Sequence, residues 1–131
     1  MIATAVEGQG ALARAIAAAL AEGTPGVDAS GDHLVLVAGG SVTAIIERVR
    51  QAVAGVVIVI IDAGWTPIDR HLLLASIEPL AVARAPATRV CAVQVAADAD
   101  LADAVAAVEY LLSAQSVTGQ ILTIEPRPAA G

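Results

Sequence analysis

Short runs of branched apolar residues alternate along the chain with longer segments in which apolar residues recur at helical spacing. Val56–Ile61 is apolar at every position. Leu101, Val105 and Val108, in contrast, recur every three or four residues. A strand that is apolar throughout is covered on both faces, and strands that alternate with helices are typical of parallel sheets. The pattern therefore predicts an α/β domain with a mostly parallel sheet.

This alternation predicts five strands and four helices. The predicted strands are Ile2–Val6, Leu34–Val37, Val56–Ile61, Arg89–Val95 and Gly119–Ile124. The predicted helices are 11–21, 41–53, 66–82 and 101–113, with Ser41 capping the second and Asp98 or Asp100 capping the fourth. Pro79 inside the third helix predicts a kink or a break there, because proline has no N–H to donate.

The 131 residues are enough for one domain with a real core, and no composition change indicates a linker. Pro126 and Pro128 follow the last predicted strand and prevent it from continuing in the ladder. We therefore expect residues 1–125 to form a single domain and residues 126–131 to form a flexible tail.

Charge and hydropathy exclude several classes of protein. The net charge of −6 leaves no basic stripe for phosphates, so nucleic acid is not an expected partner. The apolar runs are far shorter than the roughly 20 residues that a bilayer requires, so we expect no membrane span. The start of the chain carries Glu7 and no basic region, which favours a cytoplasmic protein. Cys91 is the only cysteine, which excludes an internal disulfide and any multi-cysteine metal site.

Several segments together resemble the short-chain dehydrogenase/reductases. Residues 100–113 and 116–124, with Thr118-Gly119-Gln120, are similar to that family's last helix and last strand. Residues 41–64 resemble the helix and strand that end in the family's Asn-Asn-Ala-Gly, written here as Ile61-Asp62-Ala63-Gly64. Arg14–Ala17 is similar to the start of its first helix, and Arg89–Val93 to the strand before its substrate loop.

The resemblance implies a three-layer Rossmann-like fold of about five strands, truncated relative to family members of about 250 residues. It also implies a chemistry that this chain lacks. The family uses a Tyr, a Lys four residues later that lowers the pKa of that Tyr, a Ser and an Asn. Here Tyr110 is followed four residues later by Ala114, and the sequence contains neither Lys nor Asn. We therefore expect no catalytic residues.

The dinucleotide site is degraded under either alignment of the glycine turn. Aligned on Arg14–Ala17, the three family glycine positions fall on Glu7, Ala11 and Ala13. In another register, Gly8, Gly10 and Ala13 satisfy G-x-G-x-x-A, the general fingerprint of dinucleotide sites. With Asp62, Ala63 and Gly64, these residues form a vestigial cofactor-binding set. We expect no cofactor, with NAD(P) as the open alternative.

These observations predict a non-catalytic protein, an interaction or regulatory subunit of an oxidoreductase, with acyl or polyketide metabolism as a possible setting. The expected assembly is a homo-oligomer or a hetero-oligomer with an active dehydrogenase, and the resemblance places its interfaces in residues 66–82 and 101–124. The alternative is an NAD(P)-binding oxidoreductase that takes catalytic groups from a partner chain. His33 and His71 have no second ligand at metal-site spacing. Trp65 either lines a residual pocket, anchors a partner or covers the sheet edge.

Overall fold

The computed structural model describes residues 4–21 and 32–127, which form five strands and four helices. In chain order these are β1 (Thr4–Glu7), α1 (Ala11–Ala21), β2 (His33–Val37), α2 (Val42–Gln51), β3 (Val56–Ile61), α3 (Pro67–Arg84), β4 (Arg89–Val95), α4 (Leu101–Ser113) and β5 (Ile121–Ile124). The predicted α/β class is confirmed, and each described element lies within a few residues of its prediction. The predicted first strand began at Ile2, which lies outside the described residues. So do residues 128–131 of the expected tail.

All five strands are parallel and lie in the sheet in the order β1-β2-β3-β4-β5. β3 is central, and every one of its residues is buried. Its neighbours hold it in register, with Ile58 beside Val35 of β2 and beside Cys91 of β4. Because successive residues of a strand point to opposite faces, a strand that is apolar throughout supplies both layers of core.

The helices form two layers, one on each face of the sheet. On one face, Ile16 of α1 and Leu111 of α4 belong to the core that includes Ile58 of β3. On the other face, Val49 of α2 and Ile77 of α3 belong to the core around Val57 and Val59 of β3. The result is the three-layer, Rossmann-like arrangement that the sequence predicts.

The strand order has a consequence that the local sequence pattern does not contain. Each connection moves one position in the same direction across a parallel sheet, yet α1 and α4 lie on one face and α2 and α3 on the other. One pair of connections is therefore left-handed, although parallel crossovers are almost always right-handed.

Side-chain caps begin three of the helices. Ser41 Oγ accepts from Ala44 N at 3.1 Å, Thr66 Oγ1 from Asp69 N at 3.2 Å, and Asp100 Oδ1 from Ala102 N at 2.8 Å. Asp100, rather than Asp98, is thus the cap of α4. α3 runs through Pro79 as one helix, so the expected break is absent. Within the described residues, no helix combines the length and the hydropathy needed to cross a bilayer.

Candidate functional site

A crevice of about 790 Å³ opens at the carboxyl ends of β1, β2 and β3. After β1 the chain enters α1 on one face of the sheet, and after β2 it enters α2 on the other face. The two connections diverge, and such divergence opens the crevice in which α/β sheets bind ligands. The loops after these three strands line this cavity together with the end of β1 and the first turn of α3: Glu7, Gly8, Gln9, Ala38, Gly39, Gly40, Asp62, Gly64, Trp65, Thr66 and Asp69.

The glycine turn after β1 forms one wall. Gly8 and Gly10 have φ of +125° and +102°, values that side chains rarely allow. A Cβ on Gly8 would lie 2.7 Å from both Cβ and the carbonyl oxygen of Val37, so Gly8 permits the close approach of β1 to β2. A Cβ on Gly10 would meet no atom within 4 Å. Ala13 of α1, the third predicted position, is buried in the core between this helix and the sheet.

The turn after β3 forms the second wall. Asp62 Oδ1 accepts a hydrogen bond from Gly64 N at 2.9 Å, which closes the turn. Asp62 and Gly64 line the cavity, whereas the exposed Ala63 does not. The structure therefore brings Gly8, Asp62 and Gly64 to one cavity, leaves Gly10 outside its lining, directly before α1, and places Ala13 in the core.

Trp65 combines two of the roles that the sequence left open, a pocket wall and a cover for the sheet edge. Its indole Nε1 donates to the carbonyl oxygen of Ala38 at 3.3 Å, which fixes the ring across the end of β2. The half-buried ring packs against the core beside α2 and α3 and also lines the cavity. Trp65 thus covers the edge of the sheet and forms an apolar wall.

The cavity is acidic. Glu7, Asp62 and Asp69 line it, and none of the described residues that line it is basic. Glu7 Oε1 accepts from Arg48 Nε at 2.9 Å, and the second carboxylate oxygen accepts from Arg48 Nη2. These hydrogen bonds lower the pKa of Glu7 and raise that of Arg48, so both groups are ionised at neutral pH. Among the described residues no group of three or more His, Cys, Asp or Glu is arranged to hold a metal ion.

Tyr110 lies at the opposite edge of the sheet from the cavity. Arg89, the first residue of β4, donates to the carbonyl oxygens of Leu111 and Leu112 at 3.1 and 3.2 Å. The end of α4 therefore lies beside the amino ends of the strands, and Tyr110 is 56% exposed there. The phenol cannot reach a ligand at the carboxyl ends. Ala114, where the resemblance would require a Lys, follows α4 as its C-cap.

A comparison with protein families assigns the chain. A model described as short chain dehydrogenase-like protein matches residues 36–124, more than half of the 131 residues. The chain belongs to the short-chain dehydrogenase-like family. No curated protein and no solved structure matches the chain significantly. The family match begins near the end of β2, so it includes Asp62–Gly64 but not Gly8, Gly10 or Ala13.

The residues of the cavity do not fit the diphosphate of the dinucleotide that a dehydrogenase-like family implies. A diphosphate site needs backbone amides or cations directed at it, whereas Glu7, Asp62 and Asp69 present carboxylates. The guanidinium of Arg48 is held by Glu7, which lines the cavity. The absent side chain of Gly8 makes room for Val37 rather than for a ligand.

Sequence reasoning missed the Glu7–Arg48 pair and the position of Asp69. Residues 7 and 48 are 41 positions apart, and they meet because β1 lies next to β2 and α2 covers that pair. No local pattern contains that information. The position of Asp69 could have been predicted, because an acidic residue three positions after Thr66 is typical of the first turn of a helix. That turn lies at the cavity.

Proposed function

We propose that this short-chain dehydrogenase-like chain is non-catalytic and acts as an interaction or regulatory subunit of an oxidoreductase. The observation that carries the proposal is the separation of Tyr110 from the cavity by the length of the sheet. A hydride transfer by the family's route needs a phenol and a neighbouring amine at the carboxyl ends of the strands. The sequence contains no Lys, and its only Tyr lies at the other edge.

The exposed apolar side chains support a role in binding protein. Ile68, Leu72 and Val82 of α3 are exposed, and so are Tyr110 of α4 and Ile121 of β5. These residues fall in the two regions, 66–82 and 101–124, where the resemblance places subunit interfaces. Exposed apolar residues that share one face of a helix indicate a contact surface. The partner in this proposal is a second copy or an active dehydrogenase, in the cytoplasm, with acyl or polyketide metabolism as a possible setting.

The acidic cavity supports the proposal that the chain works without NAD(P). Three carboxylates around a cavity repel a diphosphate, and the ionised Glu7–Arg48 pair would have to be broken to free a cation for it.

One observation favours the alternative, an NAD(P)-binding oxidoreductase completed by a partner chain. Gly10 precedes α1 with a positive φ and open space where its side chain would be, which is the environment that a close-approaching pyrophosphate requires. Replacing Gly10 by alanine distinguishes the proposed non-catalytic role from this alternative.

Titration of the purified protein with NADH and NADPH, followed by fluorescence and calorimetry, tests the proposal. The proposal expects no micromolar binding by the wild type, by Gly10→Ala or by Gly119→Ala. Gly119 is the matched control, because it also has a positive φ, of +74°, but lies outside the cavity. Micromolar binding that Gly10→Ala abolishes and Gly119→Ala retains would establish the alternative instead.

Purification of the native complex from its own cell tests the interaction role directly. A stoichiometric partner, or a defined homo-oligomer, is expected. Carbonyl reduction or alcohol oxidation by the isolated, homogeneous chain would refute the non-catalytic role.

A further inference from the structure

The crevice at the carboxyl ends of β1, β2 and β3 is lined by two kinds of side chain. Leu36, Val37 and Ile45 are only 5 to 6% exposed and form an apolar floor. Asp62 and Asp69 are half-buried and lie nearer the solvent. The volume of about 790 Å³ is in the range of pockets that bind small organic molecules. A ligand that fits this lining has an aliphatic part and a charged part.

Two carboxylates of the crevice are not neutralised by the described part of the chain. The side chain of Asp69 makes no hydrogen bond or ion pair with any described residue. Asp62 Oδ1 accepts from Gly64 N, whereas Oδ2 has no described donor. Glu7 differs from both, because Arg48 neutralises it. Asp62 and Asp69 therefore leave two negative charges for a ligand to meet.

The helix N-termini at this edge oppose that charge only in part. Each N-terminus carries roughly half a positive charge, so the starts of α1, α2 and α3 together supply less than two carboxylates do. Ser41 and Thr66 also accept hydrogen bonds from amides at the starts of α2 and α3, at 3.1 and 3.2 Å. Arg14 and Arg70, in the early turns of α1 and α3, lie outside the lining. The crevice therefore favours a cation.

Trp65 adds a wall that suits an organic cation. Its ring is fixed by the hydrogen bond from Nε1 to the carbonyl oxygen of Ala38 at 3.3 Å, and it lines the crevice. An indole ring attracts an ammonium or guanidinium group that lies within about 6 Å of its centre. The carboxylates of the described residues are not arranged to hold a metal ion. The apolar floor, the two carboxylates and the ring together match an amine with an aliphatic chain.

We propose that the crevice binds a small organic cation, an ammonium or guanidinium group on an aliphatic chain, in place of the dinucleotide that the family implies. Asp62 and Asp69 select the charge, and the buried floor contacts the aliphatic chain. The proposal goes beyond the interaction role argued above, because it gives the regulatory subunit a ligand of its own. The cationic group comes from a free amine or from a basic side chain of a partner protein, and the experiment separates these two sources.

Titration of the full chain with putrescine and with agmatine, followed by fluorescence and calorimetry, tests the proposal. Trp65 is the only tryptophan of the chain, so its fluorescence reports on the crevice. Saturable binding is expected for both cations, and added salt is expected to weaken it because the carboxylates are partly exposed. The uncharged diol of the same chain length as putrescine is expected not to bind.

Three aspartate variants locate the binding site. Asp62→Asn keeps an oxygen that can accept from Gly64 N, and Asp69→Asn changes a side chain that has no described partner, so both are expected to fold. Each is expected to weaken putrescine binding by about threefold to tenfold, because one charged contact is lost. Asp98→Asn is the matched control, since Asp98 is exposed at the same edge of the sheet but outside the lining. Circular dichroism confirms that all three variants are folded.

A blocked Gly-Arg-Gly peptide distinguishes the two sources of the cation. Tighter binding of the peptide than of agmatine assigns the cation to a side chain of a partner protein, whereas tighter binding of agmatine assigns it to a free amine. Either result supports a site for an organic cation, provided that Asp62→Asn and Asp69→Asn weaken the binding.

No saturable binding of either cation at millimolar concentration overturns the proposal. Equal binding of the diol also overturns it, as does equal weakening by Asp98→Asn, which would indicate attraction to the acidic surface as a whole. These results leave the non-catalytic role intact, because the dinucleotide titration and the purification of the native complex test that role separately.

Discussion

The two edges of the sheet use charge in opposite ways. At the amino edge, the guanidinium groups of Arg84 and Arg89 donate to backbone carbonyls at the ends of α2 and α4. At the carboxyl edge, Glu7, Asp62 and Asp69 line an open cavity. In a parallel α/β sheet every helix begins at the carboxyl edge and ends at the amino edge, so helix dipoles favour anions at the first and cations at the second.

The comparison gives the acidic cavity a physical cause. Helix N-termini at a carboxyl edge attract anionic ligands. Here Asp69 occupies the first turn of α3. Ser41 and Thr66 accept hydrogen bonds from backbone amides at the starts of α2 and α3, respectively. The chain's own oxygens thus take the positions from which the helices would otherwise attract a phosphate. Charged side chains at the amino edge therefore stabilise the fold, whereas those at the carboxyl edge line the cavity.

The largest effect is expected from Arg89→Met. Arg89 donates to the carbonyl oxygens of Leu111, Leu112, Ala114 and Val117 at 2.8 to 3.2 Å, and its burial lowers the pKa of the guanidinium. Removing these charge-assisted bonds takes the guanidinium donors away from four carbonyl oxygens at and after the end of α4, so we expect a loss of about 3 kcal/mol in the free energy of unfolding by urea.

Arg50→Met is the matched control for Arg89→Met. Arg50 is exposed at the same edge, and among the described residues its side chain donates no hydrogen bond, so a change below about 0.5 kcal/mol is expected. Equal losses for the two variants would contradict the claim that the amino edge uses its cations for stability.

Gly8→Ala probes the carboxyl edge and is expected to cost about 2 kcal/mol, because the new Cβ would clash with Val37 and the φ of +125° would be strained. Gly40→Ala is the control. It has a φ of +80° but open space, so only the backbone penalty of about 1 kcal/mol applies. Urea unfolding measures both, and a smaller loss for Gly8→Ala than for Gly40→Ala would show that the contact with Val37 is not tight.

The sequence predicts some of these elements and not others for a physical reason. β3 could be predicted because six consecutive apolar residues indicate a strand that is buried on both faces. α4 could be predicted because its cap and its apolar spacing are local features of the sequence. Glu7 and Arg48, or Arg89 and the end of α4, meet only through the strand order and the choice of helix face. Strand order and helix face are not local properties of the sequence, and the two left-handed connections depart from the usual right-handed rule. The site was therefore predicted as glycine turns with Glu7 and Asp62, but without Arg48 and Asp69.

The dependence of stability on pH measures the contribution of His33, which lies at the amino edge. His33 begins β2, is 5% exposed, and has Nδ1 3.3 Å from Thr4 Oγ1. Burial lowers the pKa of His33 in the folded chain. On acidification the unfolded chain therefore binds a proton at a higher pH than the folded chain does. Stability is complete above the ordinary value of 6.5 and falls as pH drops through it toward the lowered folded value. We expect the free energy of unfolding of the wild type to fall over that range, and that of His33→Gln not to. A wild-type stability that rises on acidification there would contradict the buried, neutral state.

The smallest effect is expected from Glu7→Gln at the carboxyl edge. Glu7 and Arg48 form a doubly hydrogen-bonded pair, but both side chains are more than a third exposed, so water screens them and we expect a loss of only about 0.5 kcal/mol at neutral pH. The hydrogen bonds from Arg48 lower the pKa of Glu7, so this contribution is present above the ordinary carboxyl value of 4.5 and is lost as pH falls through the lowered folded value. The urea midpoints of wild type and Glu7→Gln should therefore differ at pH 7 and converge in acid. A loss as large as that of Arg89→Met would mean that the carboxyl edge, too, uses its charges mainly for stability, and the contrast between the two edges would fail.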